Sequence, residues 1–380
     1  MLRFKLERLE DQVDMYWKQR AHVRWLQEGD RNTSFFHAVC KERKRRNRVG
    51  RLRREDGSWV EDEEEKRRFI ANYFLDLFRS SGGQTSQQIL NAVEVKVTDS
   101  MNESLLKEFT ADEVRRALDN IGDLKAPGPD GMPAIFYKNY WDIIGDQIVL
   151  EVLGVLNGGP IPAGWNETTI VLIPKVKKPE QVKDLRPISL YNVLYKLVSK
   201  VLANRLKKIL LEVISPSQSA FVPGRLISDN ILVAYELTHC MRQKKKGKEG
   251  YAAIKLDMSK AYDRVEWSFL QAMMEKLGFR KRWIELIMKC VSIVSYRIRV
   301  NGELSDSFNP ERGLRQGDPL SPYLFLLCAE GFSALLSQAE MEGQLKGGKV
   351  FQNAPSVSHL LFADDSLILF RANRGDAQAL

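Results

Sequence analysis

Three aspartates carry the clearest chemical signal in this sequence. Asp364 and Asp365 are adjacent in SHLLFADDSLILF (Ser358 to Phe370), where two short apolar β-formers meet at the acidic pair. That pattern predicts a hairpin with the acids at or beside its turn. Asp257 lies far upstream, where the strand-like run YAAIKLD bends into SKAYDRVEW. Like charges among so many apolar neighbours are unfavourable unless a cation sits beside them. Taken alone, the pair is as compatible with a solvated Asp-Asp turn, since Asp is common in turns. If the strand of Asp257 neighbours the hairpin in one sheet, however, three carboxylates collect at one edge. Hard oxygen ligands with open positions suit Mg²⁺. Two such ions roughly 3.5–4 Å apart activate a 3′-hydroxyl and stabilise a leaving pyrophosphate. Phosphoryl transfer asks for little beyond positioning and charge neutralisation. Two basic groups upstream, Lys175 and Arg186, fit the triphosphate of an incoming nucleotide.

These residues need elements to hold them. TTIVLIPK (Thr168 to Lys175) reads as a β-run closed by Pro174. LRPISL (Leu185 to Leu190) leads into a helix expected over about Val193 to Val213, on which Leu194, Leu197, Val198, Val201 and Leu202 keep helical spacing. The loop SPSQSAFVPGR (Ser215 to Arg225) precedes a helix over Ser228 to Gln243, and another helix follows Asp257 over Trp267 to Leu277. The run from Ile293 to Val300 alternates as a strand and ends on Asn301-Gly302, a hairpin turn signal. GLRQGDPLSPYLF (Gly313 to Phe325) is a Gly- and Pro-rich loop that opens a helix to about Glu340. Further upstream, Thr110 and Glu113 form a capping-box pattern at the start of ADEVRRALDNI, and KAPGPDG (Lys125 to Gly131) is a rigid, turning loop. Residues 1 to about 110 read as a charged, mainly helical extension, with SSGGQTSQQ (Ser80 to Gln88) as a flexible linker.

The net charge of +9 and pI near 9.2 favour a polyanionic partner. Basic residues concentrate in KERKRRNRVGRLRR (Lys41 to Arg54), and a second basic turn, KKKGKEG, starts at Lys244. Both are compatible with solvated faces. Trp25, Phe35, Phe36 and Trp59 interleave with the first and are candidates for stacking on single-stranded bases. Apolar runs fall short of the roughly 20 residues of a membrane helix, so no membrane partner is expected. The N-terminus has no apolar signal region. Cys40, Cys240, Cys290 and Cys328 lie far apart without CxxC spacing, and His22, His37, His239 and His359 show no ligand spacing. A reducing intracellular compartment, nucleus or cytoplasm, is expected.

The blocks LIPK, LRPISL, KLDMSKAYD, GLRQGDPLSP and FADD, in this order, resemble those of reverse transcriptases of LINE-type (non-LTR) retrotransposons. KAPGPDG and SQSAFVPGR match further blocks of that family, and WLQEGDRNTSFFH (Trp25 to His37) resembles the segment before the polymerase in plant elements. The resemblance spans Leu118 to Phe370. It implies an α+β right-hand polymerase fold, with fingers and an antiparallel palm sheet over residues 111–380 behind the helical extension. The implied activity is Mg²⁺-dependent RNA-directed DNA polymerisation, with an RNA template, a DNA primer and deoxynucleoside triphosphates as partners. Asp257, Asp364 and Asp365 are similar to the metal-binding aspartates. Tyr262 matches the aromatic position under the nucleotide sugar, Gln316 and Gly317 the loop that contacts nucleotide and template, and Arg186, with Lys175 beside it, a triphosphate contact. Asp263 and Asp318 are expected to be structural, Asp318 as a helix cap. Set against the family plan, the chain is expected to lack the endonuclease and the thumb. Two other readings are a retroelement remnant that binds RNA without turnover and a nucleotide cyclase on a similar palm.

Overall fold

The computed structural model describes residues 2–21, 33–83, 86–243, 250–351 and 353–380. His22, Trp25 and the basic residues from Lys244 to Lys248 lie outside them. In chain order the elements begin with α1 (Leu2–Ala21), α2 (Thr33–Asn47), β1 (Leu52–Arg53), β2 (Trp59–Val60), α3 (Glu63–Phe78), α4 (Gln87–Ala92) and α5 (Asp99–Leu106). Next come α6 (Ala111–Asp119), α7 (Ala134–Asn139), α8 (Trp141–Leu156), β3 (Glu167–Pro174), β4 (Leu185–Tyr191), α9 (Val193–Leu206), α10 (Leu210–Val213) and α11 (Ile227–Gln243). The remainder is β5 (Tyr251–Asp257), α12 (Trp267–Leu277), α13 (Lys281–Ser292), β6 (Ser295–Val300), β7 (Glu303–Leu304), α14 (Ser321–Met341), β8 (His359–Phe362), β9 (Asp365–Arg371) and α15 (Arg374–Ala379). The class is α+β.

Two sheets organise the chain. One has the order β5-β9-β8 and is antiparallel throughout. The other has the order β4-β3-β6-β7, with β3 and β6 parallel and the remaining pairs antiparallel. The main core gathers Leu118, Val152, Leu197, Leu202, Leu270, Trp283 and Leu327 from α6, α8, α9, α12, α13 and α14. A second core sets Ile70, Phe74 and Phe78 of α3 against Ile170, Leu172, Tyr296 and Ile298 of the larger sheet. The charged extension is thus packed into the fold from Val49 onward. By length and composition α14 would suit a membrane, but half of its apolar window is buried. Glu330, inside that helix, is buried and paired with Lys96 at 2.6 Å.

Several sequence expectations need correction. The helix expected over Val193 to Val213 breaks into α9 and α10 around Lys207–Ile209. No Gly or Pro marks the break, and the apolar spacing runs on through it, so periodicity could not show it. Ser80 and Ser81, read as the start of a flexible linker, are held by Glu266: the Ser80 hydroxyl donates to it at 2.7 Å and the Ser81 hydroxyl at 2.9 Å. Of the aromatic residues considered for base stacking, Phe36 is buried and Trp59 is covered by the Arg51 guanidinium, 4.2 Å from the ring centroid.

The capping box forms as expected. The Thr110 hydroxyl accepts from the Glu113 amide, and the Glu113 carboxylate accepts from the Thr110 amide at 3.1 Å. The same carboxylate also receives two bonds from Arg205 of α9, at 2.8 and 2.7 Å, so α6 is tied to the core. Burial pushes the Glu113 carboxyl up, but the Arg205 bonds, the Thr110 amide and the positive charges of Arg205 and Lys208 together hold it below its ordinary value of 4.5. A group lowered in the folded state stabilises the fold above its unfolded pKa and loses that contribution as pH falls through the folded one. Glu113→Gln is therefore expected to flatten the acid limb of the stability curve below about pH 4.5. Urea melts of both proteins down that range check it, and an identical acid limb would rule the pair out as its source.

Candidate active site

Register brings the first two carboxylates together. In the β5–β9 pair Asp257 lies opposite Asp365, and in the β8–β9 pair Phe362 lies opposite Asp365. Directly opposed residues of an antiparallel pair share a face, with Cβ atoms about 4.5–5.5 Å apart. Ala363 and Asp364 form the two-residue turn between these strands, as the sequence predicted, with Ala363 at φ +54°. All three aspartates therefore meet at one end of the smaller sheet. Opposed like charges are destabilising, and Lys255 answers one of them, its ammonium 2.9 Å from Asp365. Lys255 and Asp365 are 69% and 52% exposed, so solvent screens their pairing and it neutralises the site only weakly. This donor set, hard, anionic and weakly neutralised, fits a divalent cation. Among the described residues, no three His, Cys, Asp or Glu side chains already surround one point. Asp365 is engaged by Lys255 instead.

Beside this edge lies a cleft of about 530 Å³. It is lined by Lys175, Arg186, Tyr262, Gln316 and Gly317 together with Asp364. Every residue that the sequence assigned to nucleotide binding is thus in one place. Lys175 follows the end of β3 and Arg186 sits on β4; the register that pairs Pro174 with Leu185 and Ile173 with Arg186 makes them neighbours. Neither forms an ion pair among the described residues, which leaves both charges available to an anion.

Tyr262 stacks on Phe325 of α14, ring centroids 4.9 Å apart and planes 16° from parallel. Burial, reinforced by the Asp364 carboxylate, pushes its phenol up to about 12. The ring is neutral near pH 7 and lies flat against Phe325. Gln316 donates from its side chain to Asp263 at 3.2 Å, while its carbonyl accepts from the Ser189 amide at 3.3 Å. Gly317 has φ +98°, which favours glycine, and its carbonyl accepts the Tyr191 hydroxyl at 3.0 Å. Both residues of the loop are fixed by β4.

Of the two aspartates read as structural, Asp263 and Asp318, only the second was expected to cap a helix. Asp263 is buried, which pushes its carboxyl up against the opposing pull of Lys260 and Gln316. Asp318 does not cap α14. It accepts the Leu320 amide at 2.9 Å within the preceding turn and pairs with buried Arg315 at 3.5 Å. The sequence reading passed over three residues here. Lys260 lines the cleft at φ +58°, and its ammonium is buried without a hydrogen-bond partner, 5.6 Å from the Tyr73 and Phe74 rings. Phe221 also lines the cleft, at φ +59°, and is half exposed. Gln218 is buried and accepts the Ala363 amide in the turn that carries Asp364. Phe221 and Gln218 stand in SQSAFVPGR, a block legible as a motif but not for what its side chains do.

Comparison with known proteins agrees with this geometry. Residues 173–380 match the family described as reverse transcriptase (RNA-dependent DNA polymerase). The chain is similar to the transposon TX1 uncharacterized 149 kDa protein of Xenopus laevis, 30% identical over 83% of the chain and 24% of the relative. It is also similar to the retrovirus-related Pol polyprotein from type-2 retrotransposable element R2DM of Drosophila melanogaster, 28% identical over 76% of the chain and 25% of the relative. A third relative, the probable RNA-directed DNA polymerase from transposon BS of the same fly, is 26% identical over 71% of the chain and 30% of the relative. The chain spans about a quarter of the length of the first two.

Proposed function

Since more than half of it matches that family, the chain belongs to the reverse transcriptases, and we propose that it works as the RNA-directed DNA polymerase of a LINE-type (non-LTR) retrotransposon. Its substrates are deoxynucleoside triphosphates, added to a DNA primer on an RNA template. The observation that carries this reading is the convergence at one cleft. Asp364, Lys175, Arg186, Tyr262, Gln316 and Gly317 come from five separate segments and line it together, next to the opposed Asp257 and Asp365. The three-stranded sheet is then the palm, and the four-stranded sheet with α3 the fingers.

Asp257, Asp364 and Asp365 would hold Mg²⁺, which when bound supplies activation of the primer 3′-hydroxyl and neutralises the pyrophosphate. Lys175 and Arg186 hold the triphosphate by charge-assisted bonds. Gln316, oriented by Asp263, and Gly317, oriented by Tyr191, meet the nucleotide and template. Tyr262 presents its ring under the sugar, where a 2′-hydroxyl meets it, so deoxynucleotides are preferred. A remnant without turnover is not favoured, because every position carries a residue type that the chemistry needs.

The test is primer extension by the purified chain on an RNA template, comparing deoxynucleotides with ribonucleotides. Tyr262→Val is expected to raise ribonucleotide incorporation relative to deoxynucleotide by about 10- to 200-fold, the range one pocket contact discriminates. Absence of Mg²⁺-dependent extension from deoxynucleotides by the unsubstituted chain would sink the proposal. Unchanged selectivity in an active variant would make Tyr262 a packing residue only.

A further inference from the structure

Besides Lys260, two turns at the cleft hold a strained residue. Ala363, which leads into Asp364, has φ +54°, and Phe221, which also lines the cleft, has φ +59°. A side chain other than glycine is uncommon there, and such conformations persist only where the surroundings over-determine them. One side chain touches both turns. The carboxamide oxygen of Gln218 accepts from the Ala363 amide at 3.0 Å and from the Ala220 amide, next to Phe221, at 2.9 Å. Gln218 is 2% exposed, and two N–H donors at one atom identify that atom as the oxygen.

The loop that carries Gln218 is itself fixed. Ser219 donates from its amide to the Leu361 carbonyl at 3.1 Å, and Leu361 donates to the Ser217 carbonyl at 2.8 Å, so the loop pairs in parallel beside β8. Arg225 closes the far end, with bonds to the carbonyls of Gln218 at 2.7 Å and Ser215 at 2.6 Å. Glu330 of α14 holds the near end through the Ser215 amide at 3.0 Å. Gln218 is thus a rigidly mounted acceptor between two turns that have no glycine to relax them.

Building on the polymerase reading, we propose that Gln218 is a positioning residue: its carboxamide oxygen locks the Asp364 turn and the Phe221 turn into one register. The Asp364 turn and the Phe221 turn of the cleft then move together or not at all. Its amide nitrogen, buried without a partner, is a cost that a purely structural acceptor such as a backbone carbonyl would not carry.

The experiment compares the unsubstituted chain with Gln218→Met, which keeps the volume and loses the acceptor, and with Gln218→Glu, which keeps acceptor oxygens there. Amide hydrogen exchange at residues 220 and 363 is read beside kcat and the nucleotide KM of primer extension. In Gln218→Met both amides are expected to lose protection together while the β8–β9 ladder around Leu367 keeps it. The accompanying fall in kcat is expected to be on the order of 100-fold, the cost of about 1 Å misplacement, with primer–template binding unchanged. Gln218→Glu is expected to keep both amides protected. Retained protection in a folded Gln218→Met chain, or uniform loss across the hairpin, overturns the proposal, as does full kcat with both amides open. Should Gln218→Met fail to fold, loss of both amides in Gln218→Glu overturns it. If the unsubstituted chain extends no primer, the polymerase reading fails instead, and exchange alone decides whether Gln218 joins the two turns.

Discussion

Asp257→Asn is expected to reduce primer extension about 1,000-fold or more while leaving the fold intact. Losing one charged ligand removes several kcal/mol of charge stabilisation, and each 1.36 kcal/mol is about tenfold in rate. The amide matches the carboxylate in shape, so β5 keeps its pairing, and Asp257 is exposed, so no core contact is disturbed. The substitution even relieves a like-charge opposition with Asp365, so thermal stability is expected to hold or rise slightly. Activity and stability therefore move in opposite directions, which separates a catalytic role from a structural one. Asp364→Asn is expected to follow the same pattern. At Asp365 the effect is mixed with loss of the Lys255 pair, so Asp257 is the cleaner test. Steady-state extension with a folded-state check by thermal melt suffices. An Asp257→Asn chain within tenfold of the unsubstituted rate would remove the three-aspartate site from consideration.

What the sequence made legible was local. The apolar runs around Asp364 and Asp365, the Thr110–Glu113 capping box and the Asn301-Gly302 turn each depend on a few neighbouring residues. All three form, the last with φ +52° and +110°. Loop chemistry was legible as well: a Cβ at Gly128 of KAPGPDG would lie 2.2 Å from the Asn192 side chain, so that loop packs where only glycine fits. Long-range pairing was not legible. Nothing in Thr168 to Val171 shows that this run lies parallel to Tyr296 to Arg299 across some 120 intervening residues. Strand periodicity encodes a face and not a partner. Buried polar contacts were equally silent. Arg205 reads as one more base on a basic helix, yet it carries bonds to Glu113 and to the carbonyls of Leu105 and Glu108. Such residues acquire meaning only when the chain closes around them. Ordered motif blocks therefore located the cleft, while the groups that hold it in place stayed hidden between them.

Arg315 is the largest of these hidden groups, and its removal is expected to have the largest effect on stability. It precedes Gln316 directly and is buried, as is its partner Asp318. Its guanidinium donates to the Asn166 side chain, to the Cys290 carbonyl at 2.8 Å, and lies 3.5 Å from Asp318. It also stacks 3.9 Å from the centroid of Tyr195, so one side chain joins α9, α13, the start of β3 and the cleft loop. Arg315→Met fills the space but leaves Asp318 buried without its cation, and breaking a buried pair from one side costs about 3–5 kcal/mol. Lysine is no substitute, because a point charge cannot reach these acceptors and stack at once. Removing both partners in Arg315→Met/Asp318→Leu is expected to recover a good part of the loss, since no unpaired charge then remains. Because Gln316 and Gly317 follow in the same loop, Arg315→Met is also expected to raise the nucleotide KM under conditions where the protein is still folded. Urea denaturation of the two single variants and the double variant measures the coupling. A single-variant loss within about 0.5 kcal/mol of zero, the range of an ordinary surface change, would show that the loop stands without Arg315.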